Sequence, residues 1–213
     1  MDVIWHGHAC FEISGNDLTV VVDPHDGKSI GIKPPVCSAD VVLVSHTHSD
    51  HNAAKVIRGN HVDIIAQTGK FDIKGMEITG YPSFHDEEQG AEYGPNVIYK
   101  FKMDGIVFCH CGDLGDIPSE EVIDDLQDVD ILFVPVGEVF TIGLDKLQQF
   151  ISMIHPKIIV PMSYRVGGLT LPINTIDDFL DTIDDDSVIY VGNEVDLTSE
   201  DVSEFMGCWV FDH

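Results

Sequence analysis

The sequence predicts an α/β chain with β-sheets in its interior and helices outside, on three observations. Its first third reads as a run of short strands, its second half alternates strands with helices, and two strands are apolar at every position. In chain order, residues 3–5, 9–13, 18–23 and 41–45 are expected strands, with a turn over 14–17 between the second and third. Val20, Val21 and Val22, and likewise Val41 to Val44, lack polar alternation, so these strands must be covered on both faces.

After Asp50, the spacing of Ala53, Ala54, Val56 and Ile57 suggests a short helix. Further strands are expected over residues 63–66, 76–81, 97–102 and 105–110, with Gly and Pro marking most breaks. Helical spacing then appears at Val122, Ile123 and Leu126, at Leu147, Phe150, Ile151 and Ile154, and at Ile176, Phe179, Leu180 and Ile183. Ser119 and Thr175 are expected N-caps, since acidic residues that suit a helix N-terminus follow each. Strands over 131–135, 157–162 and 188–191 alternate with these helices, and Asp184-Asp185-Asp186 reads as a solvated turn.

A chain of 213 residues suffices for one sizeable core, so a single domain spanning residues 1–213 is expected. Hydrophobic residues at 44% and charged residues at 23% argue for a globular fold and against extended disorder. The 37 acidic against 11 basic residues give a formal net charge of -26, which repels phosphate backbones and anionic membranes. The expected partner is therefore a small molecule, not nucleic acid or membrane, with homo-oligomerisation as the common default. Strong acidity also suits a salty interior, where surface repulsion is screened. The five cysteines are odd in number and form no C-x-x-C pair, so they read as reduced. With neither a signal-type N-terminus nor an apolar run long enough for a bilayer, the expected location is the cytoplasm.

The chemistry concentrates in Ser45-His46-Thr47-His48-Ser49-Asp50-His51, directly after an apolar strand. Imidazole and carboxylate suit zinc, iron or manganese, and a loop at a strand end can turn several of them toward one point. Asp23-Pro24, Ser83-Phe84-His85-Asp86 and His110-Cys111-Gly112-Asp113 occupy comparable strand ends. No G-x-S-x-G elbow is present, and Gly27-Lys28-Ser29 lacks the upstream glycine of a phosphate-cradling loop. Cys109 and Cys111 read as buried strand cysteines.

The loop matches the H-x-H-x-D-H signature, and on it the chain resembles the metallo-β-lactamase superfamily. The agreement runs from Trp5-His6-Gly7-His8-Ala9 through Pro161-Met162-Ser163-Tyr164, and the G-H-A start, the D-P and the late P-x-x-Y are similar to the ascorbate-6-phosphate lactonase branch. The resemblance implies an αββα four-layer sandwich with a metal site at one edge. It implies that His46, His48 and His85 hold a first ion, that Asp50 and His51 serve a second, and that Asp113 bridges both. Asp50 would also orient the attacking water, while His8 and Asp23 would orient ligands.

One departure stands out: the resemblance calls for a final histidine where this chain has Ser163, and a serine hydroxyl is a poor zinc ligand. The second site is then expected to be weaker, with one tightly held ion. His110 and His25 are potential substitutes, though strand alternation points His110 away, and Tyr164 is a candidate for substrate contact. Zinc is the expected metal, with manganese or iron as alternatives. The expected function is a hydrolase that uses a metal-activated hydroxide on a small ester, lactone or phosphoester. The competing expectation is a metal-binding protein without turnover.

Overall fold

The computed structural model describes residues 1–15 and 17–213 and forms an αββα sandwich of two mixed sheets. In the first sheet, β1 (Asp2–Trp5), β2 (Phe11–Ser14) and β3 (Thr19–Val22) make an antiparallel meander. Two further strands, β4 (Val41–Leu43) and β5 (Asp63–Ile65), continue it in parallel. At the expected turn, Gly15 N donates to Leu18 O at 2.9 Å, and Asn16 lies outside the described residues.

The second sheet opens with the antiparallel strands β6 (Gly69–Ile73), β7 (Met76–Phe84), β8 (Pro95–Met103) and β9 (Ile106–His110). It then turns parallel. The helices α1 (Glu120–Asp125) and α2 (Leu144–Ile154) flank β10 (Ile131–Pro135), and β11 (Ile158–Met162) follows. After α3 (Asp177–Leu180) come β12 (Val188–Gly192), β13 (Glu194–Asp196), α4 (Asp201–Glu204) and β14 (Gly207–Phe211). Here β12 and β14 complete the second sheet, while β13 returns to the first and pairs with β1, Asp2 opposite Asp196.

Period-two alternation explains the apolar runs. Val20, Val22, Val41 and Leu43 point into the main core between the sheets, while Val21, Val42 and Val44 join a smaller cluster with Cys10, Ala39 and Ile57. A short 3₁₀ turn, Ala54–Val56, packs on that outer cluster where the sequence suggested a helix. On the other side β10 is buried at all positions, and α2 contributes Leu147, Phe150, Ile151 and Ile154 to the core.

Several elements differ from expectation. The edge strand β6 and the strands β13 and β14 were not expected, although Lys70-Phe71-Asp72-Ile73 in β6 alternates polar and apolar residues and packs its apolar pair on the core. The third helix is shorter than the spacing suggested, because after Leu180 the chain tightens into i→i−3 bonds from Thr182 N to Phe179 O and from Ile183 N to Leu180 O, and the Thr175 hydroxyl donates to Asp177 Oδ2 at 2.8 Å instead of capping backbone. Ser119 does precede α1, but without a side-chain capping bond. No helix of the described residues is long and apolar enough to cross a membrane.

Candidate metal centre

Pairing directions decide where the chemistry goes. Two antiparallel steps separate β1 from β3, and β3 is parallel to β4, so all three end at one edge of the first sheet. By the same reasoning β7, β9, β10 and β11 end together in the second. At those ends the chain turns sharply through left-handed backbone, at His8 (φ 53°), Asp23 (φ 47°), Gly112 (φ 56°), Glu138 (φ 58°) and Ser163 (φ 53°). Such conformations cost free energy for side-chain-bearing residues and gather at functional sites. At Gly112 a Cβ would lie 2.4 Å from Asn96 Oδ1 and 2.5 Å from Ser45 Cβ, so the turn that delivers Asp113 requires glycine.

All six residues expected to bind metal converge there. Ligand atoms of His46, His48 and His85 all lie within 4.8 Å of one another, as do those of His8, His51 and Asp113. Asp113 Oδ2 stands between the groups, 3.2 Å from His51 Nε2, 3.3 Å from His85 Nε2 and 3.9 Å from His46 Nε2. Asp50 Oδ2 lies 3.3 Å from His8 Nε2 and 3.9 Å from His51 Nε2.

A hydrogen-bond chain behind these side chains sets their tautomers. Asp23, fully buried, accepts from Ser45 N at 2.7 Å, from Ser45 Oγ at 2.6 Å and from His51 Nδ1 at 3.0 Å. With its hydrogen committed to Asp23, Ser45 Oγ accepts from His46 Nδ1 at 2.9 Å. The Nε2 lone pair of His46 is thereby left facing the site, and this atom is buried without a hydrogen-bond partner among the described residues. Such an orphan is costly unless something occupies it.

The electrostatics point the same way. Burial, reinforced by the charge of His51, pushes the His46 imidazole down to about 3, which keeps it in the neutral form that binds metals. Burial opposes ionisation of Asp113, but His51 and His85 outweigh it and hold the carboxyl well below its usual range. Burial likewise works against a charge on His51, yet Asp113 and Asp23 on either side raise it well above an ordinary imidazole. For Asp50, burial is overcome by the His8 hydrogen bond and the His51 charge, so it stays ionised. Three carboxylates thus meet where, among the described residues, no lysine or arginine is buried, and they outnumber the raised imidazole of His51 set between them. A cation fits that deficit, and the donor set of imidazoles and carboxylates fits a divalent ion.

The remaining expected residues are placed as follows. His110 donates through Nε2 to Ala9 O at 2.9 Å and accepts Gly112 N–H on Nδ1 at 3.1 Å, so neither nitrogen is available to an ion. His25 bonds His6 O at 3.0 Å and is not a donor to either group. Ser163 Oγ donates to Asp113 Oδ1 at 3.2 Å. Tyr164 does not reach the site: its hydroxyl donates to Phe211 O at 3.3 Å and its ring packs against Trp5. A further group, His6, Glu12 and Cys37, has its imidazole already paired with Glu12 at 2.8 Å.

A cavity of about 230 Å³ opens on the two groups, lined by His8, His48, Asp50, His85, Asp113 and Ser163. Its opposite wall is Tyr93, Phe140, Leu171 and Ile173, with Gly137 and Thr141. Neither this wall nor the linking role of Ser45 was anticipated, because residues far apart in the chain build both. For Ser45 a signal was available: it directly precedes the histidine loop.

A beta-lactamase superfamily domain model matches residues 2–163. A UPF0173 metal-dependent hydrolase from Thermoplasma acidophilum is 29% identical, the alignment covering 79% of this chain and 85% of the relative. Another from Pelotomaculum thermopropionicum is 30% identical over 79% of this chain and 86% of its own length. Among solved structures, one from Thermotoga maritima, assigned as a Zn-dependent hydrolase of the metallo-β-lactamase superfamily, superposes with a TM-score of 0.81. It is 31% identical and covers 99% of this chain and 97% of its own.

Proposed function

This chain belongs to the metallo-β-lactamase superfamily as a metal-dependent hydrolase, and we propose that it cleaves a small, uncharged ester or lactone with zinc as its metal. The observation that carries the metal reading is the buried, unpartnered Nε2 of His46, aimed where the ligand atoms of His48 and His85 also lie. Three imidazoles with a neighbouring carboxylate suit zinc better than the hard, oxygen-preferring cations.

The substrate class follows from the cavity. Among the described residues no lysine or arginine lines it, Asp50 and Asp113 do, and the rest of the wall is largely apolar. Away from the reacting bond, a phosphorylated substrate would find carboxylates and hydrocarbon, whereas a neutral acyl compound would bury apolar surface. At about 230 Å³ the cavity lies below the range of roughly 300–1,000 Å³ that drug-sized ligands fill, so the substrate is small. Thr141 Oγ1 is buried without a partner among the described residues and supplies one hydrogen bond to orient it.

His46, His48 and His85 would hold the ion, which when bound polarises the acyl oxygen and lowers the pKa of water. Asp50 is ionised and lines the cavity, so its carboxylate accepts a hydrogen bond from the attacking water and fixes its direction. Tyr93, Phe140 and Ile173 exclude bulk water from the acyl group. Attack forms the new C–O bond, the bond to the leaving oxygen breaks, and that oxygen takes the proton, giving acid and alcohol.

The test compares zinc-loaded wild type with His48→Ala on a p-nitrophenyl ester, a γ-lactone and bis-p-nitrophenyl phosphate. We expect turnover of an acyl substrate that falls at least about 100-fold in the variant. Equal rates in both proteins would overturn the hydrolase reading, and faster phosphodiester cleavage would overturn the substrate class.

A further inference from the structure

We infer that His8 is a direct ligand of a second metal ion, shared with His51, Asp113 and Asp50, so that this chain holds two ions with no donor nitrogen at position 163. The inference rests on the reading of the site as a metal centre and assigns the residues of its second half.

The decisive geometry is the side of His51 on which His8 stands. A residue that orients a metal-bound imidazole contacts the nitrogen facing away from the ion. On His51 that nitrogen is Nδ1, and Asp23 already takes it at 3.0 Å. His8 stands at the opposite nitrogen, its Nε2 3.0 Å from His51 Nε2 and 3.3 Å from Asp50 Oδ2. Two donors that each bind one ion at about 2.0–2.2 Å lie no more than roughly 4.4 Å apart. The contacts of 3.0 Å from His8 to His51, 3.3 Å from His8 to Asp50 and 3.2 Å from His51 to Asp113 meet that bound.

The backbone holds His8 in this place. Its carbonyl accepts the Trp5 indole N–H at 3.0 Å and the Ser163 N–H at 3.2 Å, which ties the end of β1 to the end of β11. Position 163 therefore contributes by fixing His8 and, through its hydroxyl, Asp113 Oδ1. Asp113 Oδ2 remains for the imidazoles of both groups. Of the other histidines near the strand ends, His110 is spent on Ala9 and Gly112, and His25, held through Nε2 at His6 O, has no atom in either ligand group. This differs from the expectation that Ser163 leaves the second ion only Asp50, His51 and the bridge.

The test counts metal. Metal-free full-length protein is titrated with zinc, and bound zinc is measured by elemental mass spectrometry and calorimetry for wild type, His8→Ala and His8→Asn. Asparagine tolerates the left-handed backbone at this position. We expect two zinc ions per wild-type chain and one in both variants, or a second dissociation constant raised at least about tenfold. In ¹⁵N-histidine spectra of wild type, which do not depend on the variants folding, the His8 Nε2 resonance should move with the second equivalent. Two ions bound by folded His8→Asn at wild-type affinity, a single ion in wild type under excess zinc, or a His8 resonance unmoved by the second equivalent would overturn the assignment and leave the first site standing. Wild type that binds no zinc would instead defeat the metal-centre reading itself.

Discussion

Asp23 Oδ2 accepts the Nδ1 hydrogen of His51 at 3.0 Å, with both side chains fully buried. The same carboxylate fixes Ser45 and, through its hydroxyl, His46, so one acid sets the tautomers of imidazoles in both ligand groups. Asp23→Asn replaces an acceptor by an amide at one of these contacts. Zinc affinity should fall about 10- to 100-fold by competition with a chromophoric chelator, while far-UV circular dichroism stays that of wild type. Unchanged affinity would show that the ligands hold their orientation without this carboxylate.

Tyr99 joins the two sheets. From β8 its buried hydroxyl reaches Val44 O at 3.0 Å and Ile65 O at 3.1 Å, both at the ends of strands in the first sheet. Tyr99→Phe should lower stability by about 1 kcal/mol, read as a lower urea midpoint with an unchanged slope. An unaltered midpoint would count against this bond as a tie between the layers.

The Asp86 carboxylate accepts four backbone N–H groups, from Glu88, Gly90, Glu92 and Tyr93, at 2.8–3.0 Å. It thereby shapes the loop that carries Tyr93 onto the cavity and against His85. In Asp86→Ala, amide hydrogen exchange in this loop should quicken while that of β8 stays at the wild-type rate. The Michaelis constant for an acyl substrate should rise more than the turnover number falls. Unchanged exchange in the loop would contradict this role.

A net charge of -26 makes the folded chain repel itself. Raising sodium chloride from about 0.1 to 1 M shortens the screening length from about 10 to 3 Å. The melting temperature of the metal-free protein should therefore rise across this range. A fall would show that favourable ion pairs outweigh the repulsion.

Residue type and order alone determined the layers and pointed to the loop where the candidate ligands gather. Apolar runs at Val20 to Val22 and Val41 to Val44 required cover on both faces, which the inter-sheet core and the outer cluster provide. The density of imidazole and carboxylate in the 46–51 loop marked the site, since few other uses exist for such a run after a strand. Edge strand β6 left only the short alternation Lys70-Phe71-Asp72-Ile73, and β13, three residues long, is too short for a period to show.

Only the tertiary structure decided which nitrogen of each histidine faces the site and which faces a neighbour. Sequence shows His8, His25 and His110 as the same chemical group near three strand ends. Their hydrogen-bond partners come from distant strands, so the chain order cannot show that His110 is committed to Ala9 and Gly112 while His8 faces His51. The cavity wall of Tyr93, Phe140, Leu171 and Ile173 is equally a product of packing, and it, not the motif, bears on what the site will accept.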